Sequence, residues 1–318
     1  MKIKLLLCLA LAGNLALFAQ TPSIYQRLSS SDQPALTLST DISALMTNKN
    51  TDDYQPASLV SADGKKYEVS VKPRGKFRRR IAEIPPLKLK FKKKMLQSEG
   101  LDTLNEVKLV LPTSLDEAGN ERVVREYLTY RMYEQVSPNH VRAHLINLTL
   151  VNTSIQNEAK YNVQAILLED EEETAARSKG TLLEQFGMTM DKLDQEQAAL
   201  MAVFQYMVGN TDWSLTEFRN IRLMQTAAGP IVAIPFDFDF CGFVDAPYAS
   251  PMSDTGLRNV RERFLMAGNL TEEAVKNAAK TLHDHRAGFE QLCRQGLVSE
   301  SIANKCVKYL ESFFKEKL

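Results

Sequence analysis

Two hydrophobic periods divide this chain, and their order limits its fold more than any other feature. Up to about residue 169, apolar residues alternate with polar ones, as in Tyr67-Glu-Val-Ser-Val71 and Leu87-Lys-Leu-Lys-Phe91. That is the period of a strand with one buried face. Further on the spacing widens to three and four, as in Leu200, Val203, Phe204, Met207 and Val208, the period of a helix with one buried stripe. Strands first and helices second predict an α+β protein rather than alternating strand–helix units. At 318 residues the chain is long enough for one two-lobed domain or two small ones.

Residues 20–62 are rich in Ser, Thr, Asp and Asn, with a short helix expected near Asp41 to Met46. Val107 to Leu111 reads as a third strand, ended by Pro112. Glu121 to Val136 has the helical period, and Val141 to Val151 and Tyr161 to Leu168 read as a hairpin. After the acidic run Glu169 to Glu173, Thr181 to Phe186 reads as a short helical piece. Gln195 to Val208 is an amphipathic helix with Gly209 placed as its C-terminal cap. Ile221 to Met224 and Ile231 to Ile234 form a second hairpin. Helices are expected over Arg258 to Met266, Glu272 to His285, Arg286 to Leu292 and Ser299 to Phe314. The expected divisions are an export signal over 1–19, a polar segment over 20–62, a strand-rich lobe over 63–169 and a helical lobe over 170–318.

The signal reading rests on Lys2 and Lys4 ahead of an apolar run from Leu5 to Phe18, with Leu17 and Ala19 placed for cleavage after Ala19. That run is too short for a comfortable membrane span, and no other segment approaches one. An exported, periplasmic or extracellular protein is expected. Cleavage leaves Cys241, Cys293 and Cys306, an odd number that defines no disulfide framework, although Cys293 and Cys306 are free to pair if their helices face each other. Net charge is zero, which argues against a general nucleic-acid binder. It hides a basic stretch: Lys65 to Lys94 holds thirteen Lys or Arg residues and two acids. Such a run is most simply a solvated face.

The residues with chemistry lie between Gln195 and Gly242. A helix stops at Gly209, a loop carries Asn210, Asp212 and Trp213, a strand begins near Asn220, and its hairpin partner opens into Phe236-Asp-Phe-Asp-Phe240. A hairpin brings its two ends together, so Asp212, Asn220 and the acids Asp237 and Asp239 are expected close in space. Two carboxylates and an amide oxygen are hard donors of the kind Mg²⁺ takes alongside phosphate. One carboxylate to orient a nucleophile, with an Asp and an Asn for the metal, is what phosphoryl transfer needs.

This order of parts resembles the catalytic and metal-binding segments of protein-kinase-like enzymes, in particular the spore-coat CotH kinase family and the HipA-type toxin kinases. Their Asn-x-Asp loop is matched by Asn210-Thr-Asp212 and their Pro-x-Asp segment by Pro235-Phe-Asp237. The chain also resembles exported bacterial proteins with the blocks Gly-Asn-Thr-Asp-Trp-Ser and Pro-Phe-Asp-Phe-Asp-Phe. The resemblance implies a two-lobed, atypical protein-kinase-like fold that binds ATP with Mg²⁺ or Mn²⁺ and transfers a phosphoryl or nucleotidyl group to a protein or small molecule. It implies Asp212 and Asn210 as the catalytic loop, and Asn220 with Asp237 or Asp239 as metal ligands. Asn220 follows Asp212 by eight residues where the kinase loop has five, so the loop must bulge. For the nucleotide it implies a strand lysine, Lys88 or Lys90, paired with Glu126 or Glu121, with Arg74 over a phosphate and Glu169 at the base-binding hinge.

The competing expectation is an envelope binding protein that keeps the scaffold without catalysis. In that case Asp212 caps a turn, and Trp213 packs beneath its loop. His283 and His285, two apart on a helix, point in different directions and make no metal pair.

Overall fold

The first seven strands close on themselves as a barrel. In the computed structural model, which describes residues 21–154 and 159–316, these strands are β1 (Ala35–Thr40), β2 (Gln55–Val60), β3 (Lys66–Pro73), β4 (Leu87–Phe91), β5 (Glu106–Val110), β6 (Ala143–Asn152) and β7 (Ala159–Glu169). Their order around the barrel is β1-β2-β3-β4-β5-β7-β6. Closure comes from β1, which lies antiparallel to β2 and parallel to β6, with Leu38 opposite Leu150. Alternate side chains fill the interior, among them Leu36, Leu59, Val71, Leu89, Leu109 and Leu167.

A second sheet of β8 (Thr181–Leu183), β9 (Ile221–Gln225) and β10 (Ile231–Pro235) runs in the order β10-β9-β8. Ten α-helices accompany the sheets among the described residues. In chain order they are α1 (Ile24–Leu28), α2 (Ile42–Thr47), α3 (Arg78–Ile81), α4 (Lys93–Ser98), α5 (Glu117–Val136), α6 (Glu171–Ser178), α7 (Gln195–Val208), α8 (Glu272–Asp284), α9 (Arg286–Arg294) and α10 (Glu300–Phe314). None of the described helices is long and apolar enough to cross a membrane.

The α+β composition is as expected, but the two-lobed kinase-like layout is overturned. Residues 20–62 are not a polar preface, because they supply two of the seven barrel strands and buried side chains such as Ile24, Leu28 and Leu45. Nor does the chain divide into a sheet lobe and a helical lobe near residue 169. Val124, Leu128 and Met132 of α5 share one core with Val203, Phe204 and Met207 of α7 and with Leu310 and Phe313 of α10. The barrel wall joins that core from behind, since Leu145 of β6 and Ile166 of β7 face it while Leu148 and Ala165 face the barrel interior.

Two local expectations also fail. Thr181 to Leu183 is a strand rather than a helix, because pairing with β9 outweighs so short a helical pattern. The Arg258 to Met266 stretch forms turns. Arg263 anchors it by donating to the carbonyls of Met207 at 3.0 Å and Tyr309 at 2.7 Å, the first of them a carbonyl in the last turn of α7 that has no further helical amide to accept from. The signal expected over 1–19 lies outside the described residues.

Candidate functional site

The end of α7 sets the first half of the site. Gly209 adopts φ +68, a left-handed conformation that costs glycine nothing. It lets the Asn210 amide donate to the Gln205 carbonyl at 2.8 Å and the Gly209 amide to that of Tyr206 at 3.0 Å. Asn210 is then buried. Its Nδ2 donates to the Gln205 side chain at 3.0 Å, and its Oδ1 accepts the Asp212 amide at 3.0 Å. Asn210 therefore positions Asp212 and does not itself reach the cleft described below. Trp213 is buried in the small core under this loop, with Met201, Ile221 and Leu223.

The eight-residue step from Asp212 to Asn220 has a structural cause. Ser214 and Arg219 bridge each other, with N–H···O distances of 3.0 and 2.9 Å, so the residues between them loop out and Asn220 returns beside Asp212. Asn220 Nδ2 donates to the Asp212 carbonyl at 2.7 Å and to its Oδ2 at 2.9 Å. The other carboxylate oxygen lies 3.5 Å from Arg219 Nη1. Burial, with the charge of Asp237, pushes the Asp212 carboxyl above its ordinary range, against the pull of Arg219 and Asn220.

The second half follows β10. The Phe236 amide donates to the Asn220 carbonyl at 3.1 Å, and the Asp237 amide to the Tyr130 hydroxyl at 2.8 Å. Strand β10 ends at Pro235, so strand alternation does not bring Asp237 and Asp239 together. Arg78 does. Its guanidinium meets Glu126 at 2.8 and 3.2 Å, Asp237 at 2.5 Å and Asp239 at 3.2 Å. Burial raises the carboxyls of Asp239 and Glu126, whereas Asp237, with Arg78 and Arg74 beside it, is held below its usual range despite burial. One guanidinium against three carboxylates leaves acidic charge in excess, and burial together with the charges of Asp237 and Glu126 pushes the Asp239 carboxyl well above its ordinary range.

These pieces line one cleft of about 510 Å³. Asp212, Asn220 and Asp237 all reach it, as do Arg74, Lys76, Arg78, Arg219 and Arg222, and Asp239 lies at its base. Arg74, Arg222 and Phe236 also border a narrow adjoining pocket walled by Val141, Leu168, Leu182 and Ile234. The cleft concentrates backbone strain. Phe218, Asn220 and Asp237 have φ of +55, +52 and +63, and they are three of the six such non-glycine residues described. Conformations of this kind cost about 1–3 kcal/mol each and cluster where function requires them.

Other expected residues lie elsewhere. Lys88 does not pair with Glu126. It meets Glu106 and Asp170 on the outside of the barrel, and Lys90 joins the same Glu106 at 3.3 Å. The reason is the alternation of β4, which turns Leu87, Leu89 and Phe91 inward and both lysines out. Glu126 faces the other core, where Arg78 reaches it. Glu169 is buried and saturated, held by Arg142 at 2.6 Å, Arg177 at 2.8 Å and the Thr174 hydroxyl at 3.0 Å. Its carboxylate braces the wall of the narrow pocket and has no capacity left for a ligand. Arg78 itself, only 6% exposed, had no individual mark in the sequence, since it stands third of five in Lys76-Phe-Arg-Arg-Arg80.

The donors facing the cleft suit a particular kind of metal binding. Asp212, Asp237 and the Asn220 amide oxygen are hard oxygens, and Mg²⁺ takes one or two carboxylates with phosphate and water completing its shell. Among the described residues no group of three or more His, Cys, Asp or Glu side chains stands ready to hold a metal alone. The set therefore fits a cation that arrives with a phosphate. No protein-family model matches the chain, and no curated protein matches it either.

Proposed function

We propose that the cleft binds a nucleoside phosphate together with Mg²⁺ or Mn²⁺ and transfers a phosphoryl or nucleotidyl group to an acceptor hydroxyl. One observation carries this reading: Asp212, Asn220 and Asp237 line a single cleft with Arg74, Lys76, Arg219 and Arg222. In it, the phosphates lie against Arg74 and Arg222, at the border that the cleft shares with the narrow pocket. Asp237 and Asn220 would hold the cation together with the phosphates, and it would supply neutralisation of charge on the transferring group. Asp212 accepts the proton as the acceptor oxygen bonds to phosphorus and the bond to the leaving phosphate breaks. A carboxyl raised by burial is the better base for that step. The likeness to CotH- and HipA-type kinases is, in this reading, a likeness of the two loops and not of the fold around them.

Titrating the purified protein with Mg-ATP and Mn-ATP and following its melting tests the proposal. A hundredfold excess over Kd stabilises by about 2.7 kcal/mol, a shift of several degrees. Arg74→Ala and Asp237→Asn are expected to shrink it, and EDTA to remove it. A wild-type protein that melts at the same temperature with and without these ligands sinks the reading. In the same reading residues 1–19 direct export, and amino-terminal sequencing of envelope-fraction protein is expected to begin at Gln20.

The salt bridge from Arg78 to Asp237 favours a second reading, a metal-independent anion-binding module, because it already pairs the acid the cation needs. The EDTA arm separates the two, since such a module keeps its ATP response in chelator.

A further inference from the structure

The most exposed large apolar side chain described is Phe186, 74% accessible, and it does not stand alone. Its ring packs edge-on against Phe218 at 6.0 Å, and Phe218 lines the cleft. The Arg222 guanidinium lies 5.7 Å from the Phe218 ring and 4.2 Å from that of Phe236, so a cation–aromatic stack runs from the surface into the cleft. The two loops that carry the phenylalanines are tied together, because the Gly187 amide donates to the Thr216 carbonyl at 2.9 Å. Phe218 itself is held at φ +55 in the loop closed by Ser214 and Arg219, a conformation a bulky side chain rarely adopts.

Beside this patch lies an open strand edge. β8 pairs with β9 on one side and with no strand on the other among the described residues. Leu183 pairs with Leu223, and the two strands are antiparallel, so β8 leaves the sheet running toward Asn220 and the cleft. An unpaired edge offers backbone donors and acceptors that an extended polypeptide satisfies and a small molecule does not. Glu184 and Glu217 are exposed and flank the two phenylalanines in sequence; Glu217 is paired with Arg219 at 3.2 Å, whereas Glu184 forms no ion pair among the described residues. The surroundings thus favour a partner with a basic residue next to its apolar one.

We propose that the acceptor is a polypeptide that lies along the β8 edge, seats an apolar side chain on Phe186 and Phe218, and so presents a neighbouring hydroxyl to Asp212. The last clause rests on the transfer reading above, whereas the docking itself does not. Phe186 and Phe218 are then specificity residues, and the strain at Phe218 holds one ring between the acceptor and the cleft.

Fluorescein-labelled nine-residue peptides test this by anisotropy, each with a central Ser in an Ala/Gly background. One has no further feature, one adds Leu, one adds Phe, and one adds Phe with a neighbouring Arg. The Leu and Phe peptides are expected to bind about tenfold more tightly than the plain one, the size of effect one apolar side chain gives in a pocket. The Arg peptide is expected to bind tightest. Phe186→Ala, a change at an exposed position, is expected to remove the preference while its melting temperature and its response to Mg-ATP stay as in wild type. Equal binding of all four peptides, or a preference that survives Phe186→Ala, overturns the proposal. The assay is run without nucleotide and again with Mg-ATP. A failed nucleotide site with intact peptide discrimination condemns only the transfer reading, and the reverse result condemns only this one.

Discussion

The Gly242 amide donates to the Gly209 carbonyl at 3.0 Å, which staples the residue before the Asn210–Asp212 loop to a residue three past the Asp237–Asp239 segment. Two stretches more than twenty residues apart in the chain are thereby held as one site. Neither glycine has room for a side chain. A Cβ at Gly209 would lie 2.1 Å from the Tyr309 hydroxyl, and one at Gly242 would lie 2.4 Å from that hydroxyl and 2.4 Å from the Val260 carbonyl.

Gly242→Ala is therefore expected to destabilise the fold by about 1–3 kcal/mol, the usual cost of overpacking. Removing the phenol oxygen with Tyr309→Phe is expected to recover part of the loss in Gly209→Ala but little in Gly242→Ala, where the Val260 carbonyl still blocks. Denaturant melts of the three single and two double variants measure both.

Arg78→Met leaves Glu126, Asp237 and Asp239 without their shared cation. Breaking a buried pair in this way costs about 3–5 kcal/mol. The penalty comes from ionised carboxylates, so it is expected to be smaller at pH 5 than at pH 8, where fewer of the raised groups remain protonated. Urea melts of wild type and variant at the two pH values decide it, and an equal penalty at both would contradict the charge account.

Glu173 sets a pH dependence of its own. One carboxylate oxygen accepts from Ser23 at 2.5 Å and Arg142 at 2.6 Å, and the other is buried without a partner. Burial, first of all, pushes this carboxyl up to about 6. A raised acid binds its proton more tightly folded than unfolded, so stability is full below the unfolded value and declines as pH rises through the folded one. The decline is about 2 kcal/mol, at 1.36 kcal/mol per pKa unit. Glu173→Gln is expected to flatten this part of the stability curve between pH 4.5 and 6.

Lys88 and Arg74 were both expected at a nucleotide, and the structure separates them. Lys88 is engaged with Glu106 and Asp170 outside the cleft, whereas Arg74 borders both cavities. Lys88→Ala is expected to leave the Mg-ATP affinity unchanged. Arg74→Ala is expected to weaken it about tenfold or more, the worth of one charge-assisted hydrogen bond. Calorimetric titration of the two variants gives the comparison directly.

Sequence pattern by itself determined the elements that depend on near neighbours. The alternation of β3 and β4, the β6–β7 and β9–β10 hairpins, and α7 with its Gly209 cap all follow from residues a few positions apart. So does the gathering of Asp212, Asn220 and Asp237, because a hairpin joins its ends whatever surrounds it. Tertiary structure alone decided the rest. Barrel closure pairs Leu38 with Leu150 across more than a hundred residues, and Ser and Thr mute the alternation of β1. Which cation meets the acids depended on which face of each element turned to which core. Lys88 was carried outward by its strand, and Arg78, one arginine in a basic run, was buried by the turn after β3. Local periodicity says which residues share a face, and only the packing of distant elements says what that face will touch.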